Sequence, residues 1–284
     1  MNLKKYWGMV KEAGSEWWHD KAPRLGAALA FYITFSLAPL LVLVVAIAGF
    51  VFGREAAAGQ LTNQLRDLVG EEGGAAIQSM IASANKPNTG VIATVTSAIV
   101  LLFGAAGLFG QLQDALNTIW EVNPPGGGIW SIIRRRFLSF TMVLGTSFLL
   151  LASLVVSTVL SAITRWIDGG ANGCVAQIGH FLLSFFIITA LFAMLFRFLP
   201  DTEVSWRNVW FGALVTSLLF NIGKHLIGLY LGRSAVGSAF GAAGSLAVLL
   251  TWLYYSSQIF LFGAELTKAH SKQTERIEAV ANAA

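Results

Sequence analysis

Charged residues are scarce in this chain. Of its 284 residues only 12% are Asp, Glu, Lys or Arg, whereas 55% are hydrophobic, and the mean hydropathy is +0.66. A soluble domain normally carries about 25% charged residues, so too little polar material is present to cover a soluble core of this size. The scarcity excludes an ordinary soluble protein and indicates lipid as the main solvent. We therefore predict an all-α fold, a polytopic membrane protein built as a six-transmembrane-helix bundle.

Cysteine is almost absent, and the usual enzyme motifs are missing. Cys174 has no second cysteine for an intramolecular disulfide and no companions for a metal site. The chain contains no Walker A, GxSxG, HExxH or CxxC pattern. Its four histidines are scattered along the chain, at His19, His180, His225 and His270. We therefore expect no enzymatic activity, no cofactor and no bound metal.

Long apolar runs are abundant instead. Six runs can each cross a hydrocarbon layer of about 30 Å: residues 27–53, 91–110, 137–163, 175–199, 208–231 and 241–266. In residues 1–26 aromatic and basic side chains alternate at helical spacing, which predicts an amphipathic helix on the membrane surface. Residues 54–89 predict an external loop with short helices, and residues 267–284 a polar tail. Pro39 lies inside the first span, where its missing N–H should kink the helix.

Lys and Arg predict the orientation. Thirteen of the 19 lie in the N-terminal segment, the connections 111–136 and 197–207, and the tail, whereas five lie in the alternate connections and Lys224 lies within a span. Because cytoplasmic segments carry the excess of basic residues, we predict that both termini are cytoplasmic. The same asymmetry explains the pI of about 9.3, so we expect no nucleic-acid partner.

Residues 90–125 change character along one continuous helical pattern. The first half is apolar, and in the second half small and polar residues share an arc of about 140° opposite a face of large apolar residues. The small and polar set is Gly104, Gly107, Gly110, Gln111, Asp114, Asn117, Thr118 and Glu121. Its glycines recur every third residue, which predicts that neighbouring helices pack closely against Gly104, Gly107 and Gly110.

Polar residues inside spans are candidate functional residues because burying them in lipid is costly. In the fifth span Asn221, Lys224 and His225 share one helix face. We predict a substrate path lined by that face and by the polar end of the second span, namely Asn221, Lys224, His225, Gln111, Asp114 and Asn117. The alternative is that Lys224 extends to the outer interface while Asn221 bonds to a neighbouring helix.

A second set of candidates lies at the predicted cytoplasmic ends of four spans. These charged residues are Arg24, Asp114, Arg197 and Glu265. Two bases and two acids at one depth can pair and lock the helix ends together. They can also form a gate that opens when a ligand binds. The pattern allows both interpretations, and the lock is the simpler one.

Three separated blocks resemble the YihY/BrkB family of bacterial membrane proteins. They are AALAFYITFSLAPLL (27–41), FGAAGLFGQLQDALNTIWEV (103–122) and GSAFGAAGSLAVLLTWLYYSSQIFLFGAELT (237–267). The resemblance extends in order over residues 15–270 and implies a six-span protein of the inner membrane; one family name refers to virulence. It provides no catalytic residue. The family's ribonuclease BN label implies a dense cluster of histidines and acids, which this sequence lacks.

The combined pattern favours a membrane protein that transports or handles a small or lipidic anionic substrate, with membrane lipids as its partners. An envelope assembly or structural protein without transport activity is the alternative. A membrane-associated ribonuclease is a third and less favoured hypothesis. The oligomeric state does not follow from the pattern.

Overall fold

The structure is a computed structural model that describes residues 3–53, 58–59, 62, 78–79, 82, 107–122, 173–233 and 244–282. Within these ranges all regular structure is α-helical and no strand occurs. The helices are α1 (Leu3–His19), α2 (Ala22–Phe52), α3 (107–119), α4 (Gly173–Phe198), α5 (Trp206–Arg233) and α6 (Gly244–Asn282). The predicted third span (137–163), residues 91–106 of the second span and most of the predicted loop 54–89 lie outside the described residues.

Helix α6 is the hub of the described bundle. It packs against α1, α2 and α5, while α4 packs against α5 and α1 contacts α2. Helix α6 includes most of the polar tail predicted at 267–284, since it continues without a break from Gly244 to Asn282. Sequence hydropathy falls after Leu266, but helicity continues because the tail residues pack against the bundle: Thr267, Lys268 and Ala269 are all buried.

Helices α5 and α6 run antiparallel and approach each other closely at two reciprocal positions. A Cβ added at Gly212 would lie 1.8 Å from Oγ1 of Thr267, and one added at Gly263 would lie 1.9 Å from Oγ1 of Thr216. Each threonine donates a hydrogen bond to the glycine carbonyl four residues earlier on its own helix, at 2.6 Å and 2.7 Å. The threonine of one helix thus fills the space over the glycine of the other. We call these contacts the glycine–threonine pairs.

The apolar face predicted for the second half of residues 90–125 is confirmed. Its members Phe109, Leu112, Ala115, Leu116 and Ile119 are all buried in the core. They pack in one cluster with aromatic residues of α4 and α6, in which the rings of Phe196 and Phe260 stack with their centroids 5.2 Å apart. Helix α3 therefore attaches to the bundle through the face that its periodicity indicated.

Two of the described helices are long and apolar enough to cross a membrane. The apolar stretches are Trp206–Ile227 of α5 and Leu246–Arg276 of α6, with shorter ones at Ala22–Leu37 and Ser184–Phe198. Helix α5 also exposes an apolar side chain at every fourth residue: Leu214, Leu218, Ile222 and Leu226. We call this row the α5 apolar stripe. A contiguous exposed row of this kind marks a surface that contacts a membrane or another protein.

The N-terminal segment differs from its predicted boundaries. The amphipathic helix expected over 1–26 ends at His19, and the next helix begins at Ala22 rather than at residue 27. Lys21 turns the chain with a positive φ of 56°, and its carbonyl oxygen accepts hydrogen bonds from the backbone N–H groups of Arg24 and Leu25. Pro23 is the sequence feature that indicates this earlier helix start. Proline is favoured in the first turn of a helix, where its missing N–H costs no intrahelical hydrogen bond.

Helix α1 has one buried and one exposed face. Met9 and Ala13 are buried against the bundle, whereas Trp7 and Trp18 are each 72% exposed. Exposed tryptophans on an amphipathic helix are typical of a membrane interface. Helix α2 continues through Pro39, and the kink predicted there stays a prediction.

Candidate functional site

Four segments of the chain meet at one end of the bundle, which we call the polar end. The Nζ atom of Lys268 on α6 lies 3.7 Å from Glu16 of α1 and 2.7 Å from Glu121, just after α3. Asp201, in the turn between α4 and α5, bonds to Asn117 of α3. These are the four segments that the Lys and Arg count assigned to one side of the membrane.

A carboxylate in the α4–α5 turn holds α3 in place. The Nε2 atom of Gln113 donates to Oδ1 of Asp201 at 3.1 Å, and Nδ2 of Asn117 donates to Oδ2 at 2.9 Å. The backbone N–H of Asp201 donates in return to Oδ1 of Asn117 at 2.8 Å. Because Gln113 and Asn117 are four residues apart, they lie on one helix face and grip both carboxylate oxygens. We call this arrangement the Asp201 clamp.

The arginine that ends α4 stabilises the same turn. The guanidinium of Arg197 donates a hydrogen bond to the carbonyl of Val204 and lies 5.8 Å from the ring centroid of Trp206. A guanidinium over an indole ring is a favourable cation–π contact. Arg197 therefore closes the turn between α4 and α5.

Beside the clamp lies a cluster of charges that we call the acidic junction. Its acids are Glu16, Asp20, Glu121 and Glu265, and its bases are Lys268 and Lys272. Lys268 is the central base, because its side chain is only 5% exposed and its ammonium contacts two of the acids. Lys272 lies 3.7 Å from Glu121 at the exposed edge.

The backbone turn that terminates α3 positions Glu121. It has a positive φ of 55°, and the backbone N–H groups of Glu121 and Val122 donate to the carbonyls of Thr118 and Asn117. This is the Schellman pattern of helix termination, in which glycine is the usual residue at the left-handed position. Here the glutamate side chain binds Lys268, and that hydrogen bond holds the pKa of Glu121 below its usual range.

Glu265 is the most deeply buried acid of the junction. The residue is 1% exposed, and neither of its carboxylate oxygens has a hydrogen-bond donor. Its electrostatic neighbours are Asp20, Lys268 and Glu16, and its side chain contacts that of Asp20. The Oδ2 atom of Asp20 is also buried without a donor. The two acid side chains thus face each other in a hydrogen-bonding contact.

The four residues of the predicted charge cluster do not pair with one another in the structure. No ion pair joins any two of Arg24, Asp114, Arg197 and Glu265. Arg24 and Asp114 are exposed, Arg197 bonds to a backbone carbonyl, and Glu265 faces another acid. The contacts that join the helix ends in the described residues are made by other side chains, among them Asp201, Glu121 and Lys268.

The predicted polar face of α5 divides between two surfaces. Asn221 is buried and donates to the carbonyl of Ser217 on its own helix at 2.9 Å. Lys224 is half-buried and His225 is exposed. The three residues span an arc wide enough that Asn221 lies inside the bundle while His225 lies outside it.

The polar residues predicted on α3 also separate. Asn117 is buried in the Asp201 clamp, Gln111 is half-buried, and Asp114 is exposed. Among the predicted packing glycines, a Cβ on Gly107 would lie 3.1 Å from the ring of Tyr32, so a side chain approaches closely there. A Cβ on Gly110 would meet no described atom within 4 Å, and Gly104 lies outside the described residues.

One group at the polar end has the spacing of metal ligands. One ligand atom from each of Glu16, His19 and Asp20 can be chosen so that all three lie within 4.8 Å of one another. The Nδ1 atom of His19 lies 3.3 Å from Oδ1 of Asp20. The three residues occupy the last turn of α1 and the position after it.

Known proteins resemble this chain over most of its length. The family profile described as "Virulence factor BrkB" matches residues 13–284. The chain belongs to this family. The BrkB match thus confirms the resemblance inferred from the three sequence blocks.

The relatives of this BrkB-family chain include curated membrane proteins. A UPF0761 membrane protein of Verminephrobacter eiseniae is 32% identical over 171 residues, which cover 58% of this chain and 41% of the relative. A UPF0761 membrane protein of Rhodospirillum centenum is 27% identical over 270 residues, covering 92% of this chain and 56% of the relative. One of Pseudomonas aeruginosa is 27% identical over 251 residues, covering 87% and 59%. The chain spans about half the length of these relatives. No solved structure matches.

Several residues of the polar end were not predicted. Gln113 lies outside the small and polar arc of residues 104–121, yet it shares with Asn117 the four-residue spacing that grips Asp201. Glu265 and Lys268 are three residues apart on α6, which places them side by side. Those two spacings were visible in the sequence, whereas the contacts of Glu265 with Asp20 and of Lys268 with Glu121 depend on tertiary packing.

Proposed function

We propose that this BrkB-family chain is a multi-pass protein of the bacterial cytoplasmic membrane, with both termini cytoplasmic, and that it handles an anionic lipid. Its relatives are named membrane proteins, and its two longest apolar stretches have the length of spans. The contacts of the polar end bring together the four segments rich in Lys and Arg, which supports a cytoplasmic location for that end.

The position of Lys224 is the observation on which the substrate proposal rests. Lys224 is half-buried and His225 is exposed, between Ile222 and Leu226 of the α5 apolar stripe. A lysine set beside an exposed apolar row offers an ammonium to a phosphate headgroup while the stripe contacts the acyl chains. We propose that the substrate reaches this face from the bilayer rather than through an interior path.

The division of the predicted path supports this choice of an outer face. The Asn221 amide donates a hydrogen bond within its own helix, and the Asn117 amide donates a hydrogen bond to the carboxylate of Asp201. Neither amide is therefore available as the wall of an interior channel without first breaking its present hydrogen bonds. Lys224 forms no ion pair with any described residue, so its charge is available to a ligand.

Binding of phosphatidylglycerol to Lys224→Ala tests the proposal. One basic residue near a lipid surface contributes about 1 kcal/mol, so we expect phosphatidylglycerol retention in nanodiscs to weaken about fivefold, with phosphatidylcholine retention unchanged. Arg276→Ala is the matched control, because Arg276 is exposed on α6 outside the α5 stripe. Complementation of a deletion strain and lipid flux in proteoliposomes should fall with Lys224→Ala while its membrane level stays normal.

The competing hypothesis of an envelope assembly protein makes the opposite prediction. Lys224→Ala would then complement fully and show no change in lipid preference, and a protein partner would co-purify in fixed ratio. That combination of results would refute the lipid-handling proposal.

A further inference from the structure

One face of α1 points away from the bundle. Ala13 is fully buried, whereas Trp7 and Trp18 lie on the opposite side of the helix and are each 72% exposed. The chain that follows α1 also exposes Lys21, in the turn, and Arg24, in the first turn of α2. We call this surface the outward face, and its members are Trp7, Val10, Lys11, Gly14, Trp18, Lys21 and Arg24.

Backbone hydrogen bonds hold the two bases of this turn next to the end of α1. The N–H of Lys21 donates to the carbonyl of Trp18 at 3.2 Å, and the N–H of Arg24 donates to the carbonyl of Lys21 at 2.9 Å. The apolar stretch Ala22–Leu37 begins directly after Lys21. The outward face therefore adjoins the point at which the chain becomes apolar.

The acids of α1 lie on the other side of the helix. Glu12, Glu16 and Asp20 recur every fourth residue and therefore share one face. The carboxylate of Glu16 lies 3.7 Å from the ammonium of Lys268 on α6. The Asp20 side chain is 11% exposed and contacts Glu265. Because the acids face α6, the outward face carries bases and tryptophans and no acid.

We propose that the outward face binds the headgroups of anionic lipids in the cytoplasmic leaflet. Lys11, Lys21 and Arg24 supply positive charge to the phosphate groups, and a basic residue close to an anionic membrane attracts it. Trp7 and Trp18 place indole rings at the boundary between headgroups and acyl chains, which is where tryptophan is favoured. The apolar stretch that begins at Ala22 favours a lipid surface over a soluble acidic partner.

This lipid surface is separate from the α5 apolar stripe. It rests on the proposed cytoplasmic location of the polar end, but it does not require Lys224. The opposite face of α1 binds α6 through Glu16 and Lys268. Lipid on one face and α6 on the other thus hold α1 between the leaflet and the bundle.

A fluorescent label on the outward face tests the proposal. Gly14→Cys provides the attachment point, because a Cβ there meets nothing within 4 Å, and Cys174→Ser removes the natural cysteine. We expect the emission of a nitrobenzoxadiazole label to shift to the blue in phosphatidylglycerol nanodiscs, since the label leaves water, and to shift less in phosphatidylcholine. Salt at about 1 M, where the Debye length is about 3 Å, should reverse most of the shift.

Two double substitutions of equal charge separate the outward face from net charge. Lys21→Gln with Arg24→Gln should lower the ratio of lipid-bound to free label by about 30-fold, because each basic residue near an anionic surface contributes about fivefold. Arg207→Gln with Arg276→Gln, which changes two exposed bases outside this face, should leave the ratio unchanged. Lys224→Ala should also leave it unchanged, so failure of the lipid-handling proposal is distinguishable from failure of this one.

Equal label emission in phosphatidylglycerol and phosphatidylcholine overturns the proposal. An unchanged blue shift in the Lys21→Gln, Arg24→Gln chain also overturns it, provided that its melting temperature matches that of the unsubstituted chain. If the melting temperature falls, the salt response of the unsubstituted chain decides, and a shift that persists in salt is contrary to headgroup binding. A shift that appears only with two chains in each nanodisc overturns the proposal in favour of contact with a second copy.

Discussion

Replacing Gly263 by alanine should destabilise the bundle through the glycine–threonine pairs. The added Cβ would lie 1.9 Å from Oγ1 and 2.9 Å from both Cβ and Cγ2 of Thr216. Carbon atoms pack at about 3.5–4.0 Å, so α5 and α6 must separate by about 0.6 Å or more to admit it. The contact involves a β-branched side chain next to the backbone, which has little freedom to move aside.

The expected magnitude combines two opposing effects. Overpacking a tight contact costs about 1–3 kcal/mol, and a 1.9 Å approach places this substitution near the upper end. Alanine is more favourable than glycine inside a helix by about 1 kcal/mol, and this gain in helix stability offsets part of the packing loss. We therefore expect the free energy of unfolding to fall by about 2 kcal/mol, or the melting temperature by about 4 °C for a chain of this size.

Tryptophan fluorescence during heating in one fixed detergent measures the effect. Gly14→Ala is the matched control, since a Cβ there meets nothing within 4 Å, and it should raise the melting temperature slightly. The double substitution Gly263→Ala with Thr216→Gly removes the obstructing side chain. It should be about 2 kcal/mol more stable than the sum of the two single effects predicts.

The reasoning is refuted if Gly263→Ala is as stable as the unsubstituted chain, or if the double substitution shows no coupling. Either result would mean that α5 and α6 do not approach at this register. Gly212→Ala provides an independent repeat, because the second pair places its Cβ 1.8 Å from Thr267.

Two further predictions concern the polar end. Asn117→Ala removes two hydrogen bonds to Asp201, one to its carboxylate and one from its backbone N–H. It should lower the free energy of unfolding by about 2–4 kcal/mol, since a bond to a charged group contributes about 1.5–3 kcal/mol and one between neutral groups about 0.5–1.5 kcal/mol. Thr118→Ala, which loses only a bond to its own helix, should change it by less than about 0.5 kcal/mol, and equal effects would argue against the clamp. Glu121→Gln should cost at most about 1 kcal/mol at pH 7, because its side chain is 64% exposed. Because the folded-state pKa of Glu121 is lowered, its ionised side chain stabilises the folded chain at pH values above the unfolded-state pKa. The melting-temperature difference between Glu121→Gln and the unsubstituted chain should therefore begin to shrink near the ordinary Glu pKa of about 4.3 and vanish below the lowered folded-state pKa. A difference that persists at pH 3 would contradict an ionic origin.

Local periodicity accounts for the parts of the fold that were predicted correctly. The apolar face of α3 depends only on which side chains recur every three to four residues, so Leu116 and Ile119 could be assigned to the core without knowledge of their partners. The same holds for the apolar runs of α5 and α6. These features follow from the geometry of a single helix.

Contacts between distant segments could not be predicted in this way. Asp201 lies 84 positions from Asn117, and neither segment contains a pattern that identifies the other as its contact. The charge pattern favoured opposite charges at the helix ends, but Glu265 faces Asp20 because α1 ends at His19 and carries its last turn onto α6. The division of Asn221 and His225 between two surfaces depends on where α5 meets α6, which the sequence of α5 does not contain.

The unbroken length of α6 has a mechanical consequence. Its 39 residues extend about 58 Å at 1.5 Å per residue, nearly twice the hydrocarbon thickness of about 30 Å. A helix of this length is longer than one crossing would need, and the glycine–threonine pairs join its middle to α5. Because α6 is unbroken from Gly244 to Asn282, a displacement of its C-terminal part can be transmitted along the helix to the apolar stretch that begins at Leu246.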